Sequence, residues 1–164
     1  MGEKLARAIA LRADGQHTAA LSLLQDLVRA QPDDCNVHYQ LACTYDNEGM
    51  EDRAIDHYEA CLQDPSALAP ADRRDALLGL GSTYRCLEQY GDAVRVLNRG
   101  LQENPSAEEF RVFLALCHHN LGQHQDAVSA LLHHIAQFSS HADTAKYRRA
   151  LHTYANQPDP PYEI

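Results

Sequence analysis

The chain has 164 residues, of which 45% are hydrophobic and 23% are charged, and its formal net charge at pH 7 is −9. A chain of this length forms a single domain, and its hydrophobic fraction is too high for a disordered protein. Proteins that bind a phosphate backbone cluster lysine and arginine, so the excess of acidic residues argues against a nucleic-acid partner.

Cysteine usage and hydropathy bear on the compartment. The five cysteines include no Cys-x-x-Cys pair, which favours free thiols in a reducing compartment. The first residues, Met-Gly-Glu-Lys-Leu-Ala, form no apolar leader, and no run of residues approaches membrane-spanning length. Val, Ile, Thr and Phe are sparse relative to Ala, Leu, Arg and Gln, which favours helix over sheet. We therefore expect a cytoplasmic, all-α protein without a membrane partner.

The first predicted helix pair occupies residues 1–34. Its second helix carries Ala20, Leu24 and Val28 at helical spacing, and Pro32 ends it. An Asp-Gly dipeptide ahead of this helix marks the turn between the two helices. The segment therefore predicts a helix-turn-helix unit.

The second predicted pair occupies residues 35–68. Leu41, Ala42 and Tyr45 give its first helix a large, a small and an aromatic residue on one side, and a Glu-Gly dipeptide follows as the turn. Between Gln31 and Asp64 the formal charge is −8. Such a charge run is usually a solvated face, and the alternative is that it attracts a partner rich in lysine or arginine.

The third pair, residues 74–107, shows the pattern most clearly. Leu80, Gly81 and Tyr84 repeat the large, small and aromatic positions, and Ala93 and Leu97 continue the alternation on the second helix. Small residues allow two helix backbones to approach each other, while bulky residues fill the space beside them. The spacing therefore predicts two closely packed helices.

A fourth pair and a closing segment follow. Residues 108–141 carry Leu114, Ala115 and His118 at the corresponding positions. A helix over 142–156 is expected to cover the apolar edge of this fourth unit, as the end caps of repeat arrays do. The proline-rich residues 157–164 predict an extended tail.

The units recur with a period near 34 residues, since Leu80 and Leu114 are 34 residues apart. This period and the large, small and aromatic pattern resemble the tetratricopeptide repeat family over essentially the whole chain. The segments that most resemble a group of short, uncharacterised bacterial members are Leu-Gly-Ser-Thr-Tyr-Arg-Cys-Leu from Leu80, Phe-Leu-Ala-Leu-Cys-His-His-Asn-Leu-Gly from Phe113 and Tyr-Arg-Arg-Ala-Leu-His-Thr-Tyr-Ala from Tyr147. The resemblance implies one domain over 1–156, a right-handed α-α superhelix of four units with a capping helix, and a protein-interaction role without an assigned reaction or cofactor.

In tetratricopeptide repeat proteins the ligand lies along the surface formed by the first helix of each unit. Carried over position by position, the resemblance implies a partner-binding surface made of Asn36, Tyr39, Cys43, Asp46, Asn47, Leu78, Ser82, Arg85, Val112, Leu116, His119 and Asn120. A peptide or helix of a protein partner would bury apolar side chains against Tyr39, Leu78 and Leu116. The polar residues would fix its orientation by hydrogen bonds.

Two other interpretations remain open at this point. One is a structural protein whose surfaces bind each other, for example as a homodimer. The other, more distant, is a metal-dependent enzyme that uses the cysteine and histidines of Cys117-His118-His119 together with His124 and His133-His134. No histidine or cysteine spacing typical of a zinc site occurs, and Ser82 lies inside a predicted helix, so we assign no metal ligand and no catalytic residue.

Overall fold

The structure, a computed structural model, describes residues 2–159. In this range it contains ten α-helices and no strand, which confirms the all-α prediction. Residues 160–164, most of the predicted tail, lie outside the described residues.

The chain divides into two compact units between Gln89 and Tyr90, which separates the two helices of the predicted third repeat. The first unit contains α1 (Gly2–Ala13), α2 (His17–Ala30), α3 (Cys35–Asn47), α4 (Glu51–Leu62) and α5 (Pro70–Cys86). The second unit contains α6 (Tyr90–Glu103), α7 (Glu109–Asn120), α8 (His124–Phe138), α9 (Ala142–Lys146) and α10 (Arg148–Asn156).

Helices that follow each other in the chain pack together within each unit. In the first unit α1 packs on α2, α2 on α3, α3 on α4, and α4 on α5. In the second unit α6 packs on α7, α7 on α8, and α8 on α10. The repeat pattern marks several of the residues that these contacts bury, and among them are Leu24, Leu41, Tyr58 and Leu97.

The turns inside the helix pairs share one backbone feature, a residue with positive φ. Glycine takes this position at Gly15 (φ 74°), Gly49 (φ 67°) and Gly122 (φ 77°), whereas Glu88 (φ 60°) takes it after α5. The left-handed region is unfavourable for a residue with a Cβ atom. The turn after α5 therefore carries local strain that the three glycine turns lack.

Two other glycines set how closely neighbouring helices approach. A Cβ atom on Gly100 of α6 would lie 2.1 Å from Cε1 of Phe110 on α7, and one on Gly79 of α5 would lie 2.6 Å from the hydroxyl oxygen of Tyr58 on α4. Phe110 is fully buried, so its ring has little room to move away. The absence of a side chain on each glycine creates the space that the neighbouring aromatic ring fills.

The closing segment differs from its prediction, because the single helix expected over 142–156 is two helices that break at Tyr147. Arg148 Nε donates a hydrogen bond to the carbonyl oxygen of Ala136 at 2.7 Å and so fixes the start of α10 on α8. The short α10 covers α8 incompletely and leaves Ile135 43% exposed and Phe138 47% exposed. The expected cap is therefore partial.

Replacing Gly100 with alanine is expected to destabilise the protein by about 1–3 kcal/mol, because the added methyl group overlaps the buried ring of Phe110. Urea denaturation followed by circular dichroism measures this change. Gly91, also on α6, is the matched control, since a Cβ atom there would meet no atom within 4 Å. Equal stability of Gly100→Ala and Gly91→Ala would contradict the close contact between α6 and α7.

Candidate functional site

The predicted partner-binding residues of the first unit lie on α3 and α5, which pack against each other and against α4. On α3, Asn36 and Asn47 are exposed and Cys43 is half-buried. The α5 residues of this set are all half-buried, namely Leu78, Ser82 and Arg85. The first unit therefore brings the two predicted helices together, with polar side chains and one leucine at the surface.

The predicted residues of the second unit all lie on α7. Their spacing of three or four residues keeps Val112, Leu116 and His119 on one side of the helix. His119 and Asn120 are exposed, and Leu116 is 39% exposed although it is apolar. This part of α7 therefore places an exposed leucine beside hydrogen-bonding side chains.

Tyr39 requires a correction, because it is only 8% exposed. Burial raises the pKa of its phenol, and the Cys43 thiol beside it adds to this effect. Since α4 and α5 cover the side of α3 that packs inward, the Tyr39 ring belongs to the core. Tyr39 therefore offers little surface to a partner protein, and we no longer expect it to contact one.

Asp46 joins three helices. Its carboxylate accepts a hydrogen bond from the Tyr58 hydroxyl on α4 at 2.8 Å, and the Thr83 hydroxyl on α5 lies 2.9 Å from its other oxygen. Burial raises the pKa of Asp46, although both hydroxyls act to lower it. The residue predicted to attract a basic partner thus has a structural role in holding α3, α4 and α5 together.

Sequence reasoning missed Tyr58 and Thr83 as partners of this carboxylate. Thr83 is 2% exposed and lies within the apolar side of α5, where a hydroxyl group needs a hydrogen-bond partner. A buried threonine on the packed side of a helix was the available signal, but the sequence alone does not indicate which acidic residue it meets.

The model of the tetratricopeptide repeat family matches residues 35–157, which is most of the chain. The chain belongs to the tetratricopeptide repeat family. None of the curated proteins matches its sequence.

Solved structures of tetratricopeptide repeat proteins are similar in fold. YrrB, described as a tetratricopeptide repeat protein with an unusual peptide-binding site, has a TM-score of 0.71 and 21% identity, with 94% of this chain and 80% of YrrB covered. MamA has a TM-score of 0.69 and 19% identity, with 95% and 88% covered. The kinesin light chain-like repeats of Podosopora anserina have a TM-score of 0.70 and 21% identity, with 94% and 84% covered. At identities of 19–21%, these similarities show the fold alone.

His118 and His119, two of the histidines that suggested a metal site, make contacts with one neighbouring side chain each. His119 Nδ1 lies 3.1 Å from His124 Nδ1, whereas His118 Nδ1 is hydrogen-bonded to Gln123 Oε1 at 2.7 Å. Within residues 2–159, no three histidine, cysteine, aspartate or glutamate side chains converge to hold a metal ion.

In the same range, no helix combines the length and the apolar character that crossing a bilayer requires.

A second polar network connects α3 and α4 of this tetratricopeptide unit. His38 Nε2 lies 2.8 Å from the carbonyl oxygen of Pro32 and therefore carries a proton that it donates. His38 Nδ1 then accepts a hydrogen bond from His57 Nδ1 at 2.9 Å in the neutral state. The His57 ring stacks on Tyr45, with an interplanar angle of 10° and centroids 5.7 Å apart.

The surroundings of His57 predict how stability depends on pH. Burial lowers the pKa of His57 below 6.5, His38 lowers it further, and only Asp56 opposes the shift. A histidine with a lowered pKa in the folded state contributes stability above its ordinary pKa, and this contribution is lost as the pH falls through about 6.5. We expect wild type to lose more unfolding free energy than His57→Gln between about pH 7.5 and 5.5. Urea denaturation at both pH values measures the difference, and identical losses would contradict it.

Proposed function

We propose that this tetratricopeptide repeat protein is a non-catalytic interaction module that binds a peptide or helical segment of a protein partner on the first helices of its repeats. Tetratricopeptide repeat proteins generally mediate protein–protein interaction. The description of YrrB as having a peptide-binding site supports the same class of ligand for this chain. The five cysteines without a Cys-x-x-Cys pair support a cytoplasmic location, and the net charge of −9 supports a partner other than nucleic acid.

The exposed apolar side chain of Leu116 is the observation that carries the proposal. The opposite side of α7 supplies buried residues such as Phe110 and Leu114, so the helix already has its core contacts. Leu116 lies on the other side, next to Asn120, whose amide can both donate and accept hydrogen bonds. This arrangement suits a partner that buries an apolar side chain and pairs its backbone with the amide.

The charge of the first unit suggests which partners associate fastest. The formal charge of −8 between Gln31 and Asp64 lies on the unit that carries Asn36, Asn47 and Arg85. Long-range attraction of this kind favours a partner rich in lysine or arginine and acts more on the association rate than on the affinity. Binding is then expected to weaken as the salt concentration rises.

Self-association is the second candidate, and the incomplete cover of α8 favours it. Ile135, Phe138, Tyr147 and Tyr154 are between 43% and 65% exposed on the closing helices and α8. Contact between two copies would bury such side chains, as in a homodimer. Light scattering across a concentration series separates this candidate from the first, because binding a different protein requires no change in the mass of the free chain.

Substitutions on the first helices are expected to reduce partner capture while leaving stability nearly unchanged. We expect Leu116→Ser and Arg85→Glu each to weaken capture of a partner from a native extract by about tenfold. Arg29→Glu is the control, because Arg29 is exposed on α2 and pairs only with Asp26 in the described contacts. Equal capture by Leu116→Ser and Arg29→Glu would refute the proposed surface, and a large loss of stability in Arg85→Glu would show Arg85 to be structural.

A further inference from the structure

Each unit contains a groove at the same place in its repeat. The groove of the first unit has a volume of about 320 Å³ and is lined by residues of α3, by Ala60 of α4, and by the segments before α3 and after α4. The groove of the second unit has a volume of about 890 Å³ and is lined mainly by α7, α8 and the segment before α7. Six of the eight residues that line the smaller groove have a counterpart in the larger groove 73 positions later in the chain. The first such pair is Pro32 and Pro105.

The two repeats differ at one position that lines the larger groove and not the smaller one. His57 of α4 corresponds to Ala130 of α8 in this register, and the His57 ring fills the region between His38 and Tyr45. Ala130 has only a methyl group, and it lines the larger groove together with His118, the counterpart of Tyr45. The second unit therefore leaves open a slot that the first unit fills with one of its own rings.

The chemistry around this slot suits one kind of ring. His118 offers a flat surface at the position where Tyr45 stacks on His57. Arg111, the counterpart of His38, can only donate hydrogen bonds, and its Nε already donates one to Oε1 of Glu108 at 3.3 Å, while Oε2 of Glu108 lies 3.6 Å from Nδ1 of His134. The hydroxyl group of a bound ring can accept a hydrogen bond from the remaining N–H groups of Arg111 and donate one to the Glu108 carboxylate.

We propose that the groove of the second unit binds a tyrosine side chain of a partner protein, with its ring over Ala130 and against His118 and its hydroxyl group beside the Arg111–Glu108 pair. Leu101, Leu114 and Phe138 supply apolar contacts for the ring. A free carboxylate in the same place would be repelled by the Glu108 carboxylate, whereas a phenylalanine ring would make no hydrogen bond to the Arg111–Glu108 pair. The charge and polarity of the groove thus favour tyrosine over both.

This groove is separate from the surface on which the proposed function rests. Residues on an α-helix are rotated by roughly 100° per position, so Arg111 and His118 lie on a different side of α7 from Val112 and His119. A negative result for the tyrosine groove therefore leaves the proposed partner-binding surface untouched, and the reverse also holds.

Titration of the 15N-labelled full chain with N-acetyl-tyrosinamide tests the proposal by nuclear magnetic resonance. We expect saturable shifts of the amide signals around Arg111, His118 and Ala130, with a Kd on the order of 1 mM for so small a ligand. N-acetyl-phenylalaninamide is expected to bind several-fold more weakly, and N-acetyl-leucinamide is expected to cause no saturable shift. Absence of saturation with the tyrosine probe, or equal binding of all three probes, would overturn the proposal.

Two reciprocal substitutions make the test specific. Ala130→His places in the second unit the ring that the first unit carries, and it is expected to abolish the shifts while the circular dichroism spectrum stays unchanged. His57→Ala opens the corresponding slot in the first unit. On titration with the tyrosine probe, this variant is expected to show new shifts of the amide signals around His38 and Tyr45. Val128→Ser, at an exposed position of α8 outside the groove lining, is the matched control and should bind the probe as wild type does. Unchanged binding to Ala130→His would overturn the proposal.

Discussion

The shared hydrogen bonding of the Asp46 carboxylate is the constraint on which the first unit depends most. A carboxylate that is partly withdrawn from water is costly unless its oxygens find donors, and Tyr58 of α4 and Thr83 of α5 supply them. The donors come from two different helices, so the carboxylate fixes α3 relative to both. Ser82, a half-buried residue of the proposed binding surface, lies on α5 directly before Thr83.

Glycine and aromatic contacts give the rest of the packing its dimensions. The ring of Phe110 occupies the space that Gly100 leaves, and the Tyr58 hydroxyl group lies close to Gly79. Tyr58 therefore takes part in both kinds of constraint, because the same hydroxyl group that approaches Gly79 donates to Asp46. Packing and hydrogen bonding in the first unit are coupled through this one side chain.

The sequence predicted the helix pairs well because the large, small and aromatic positions follow directly from helix packing. It could not name Phe110 as the ring that packs against Gly100, since that contact joins two helices. The break at Tyr147 was missed because neither glycine nor proline marks it. The burial of Tyr39 was missed for a related reason: the family pattern gives the side of a helix that faces a ligand, whereas burial depends on the neighbouring helices.

Differences between equivalent repeat positions carry more functional information here than the shared pattern does. His57 and Ala130 occupy the same register, yet one fills a groove and the other leaves it open. Comparison of repeats within one chain therefore indicates a candidate site that no spacing rule marks.

Substitution of Asp46 tests the central constraint most directly. Urea denaturation should show that Asp46→Ala loses about 1–3 kcal/mol of unfolding free energy, because it removes the carboxylate acceptor of the Tyr58 hydroxyl and the link from α3 to the Thr83 hydroxyl, which keeps the Gly79 carbonyl as an acceptor at 2.9 Å. Asp46→Asn keeps an acceptor oxygen and should lose less than half as much, and Asp33→Ala, at an exposed position, should stay close to wild type. Equal stability of Asp46→Ala and Asp33→Ala would contradict the role of this carboxylate in joining the three helices.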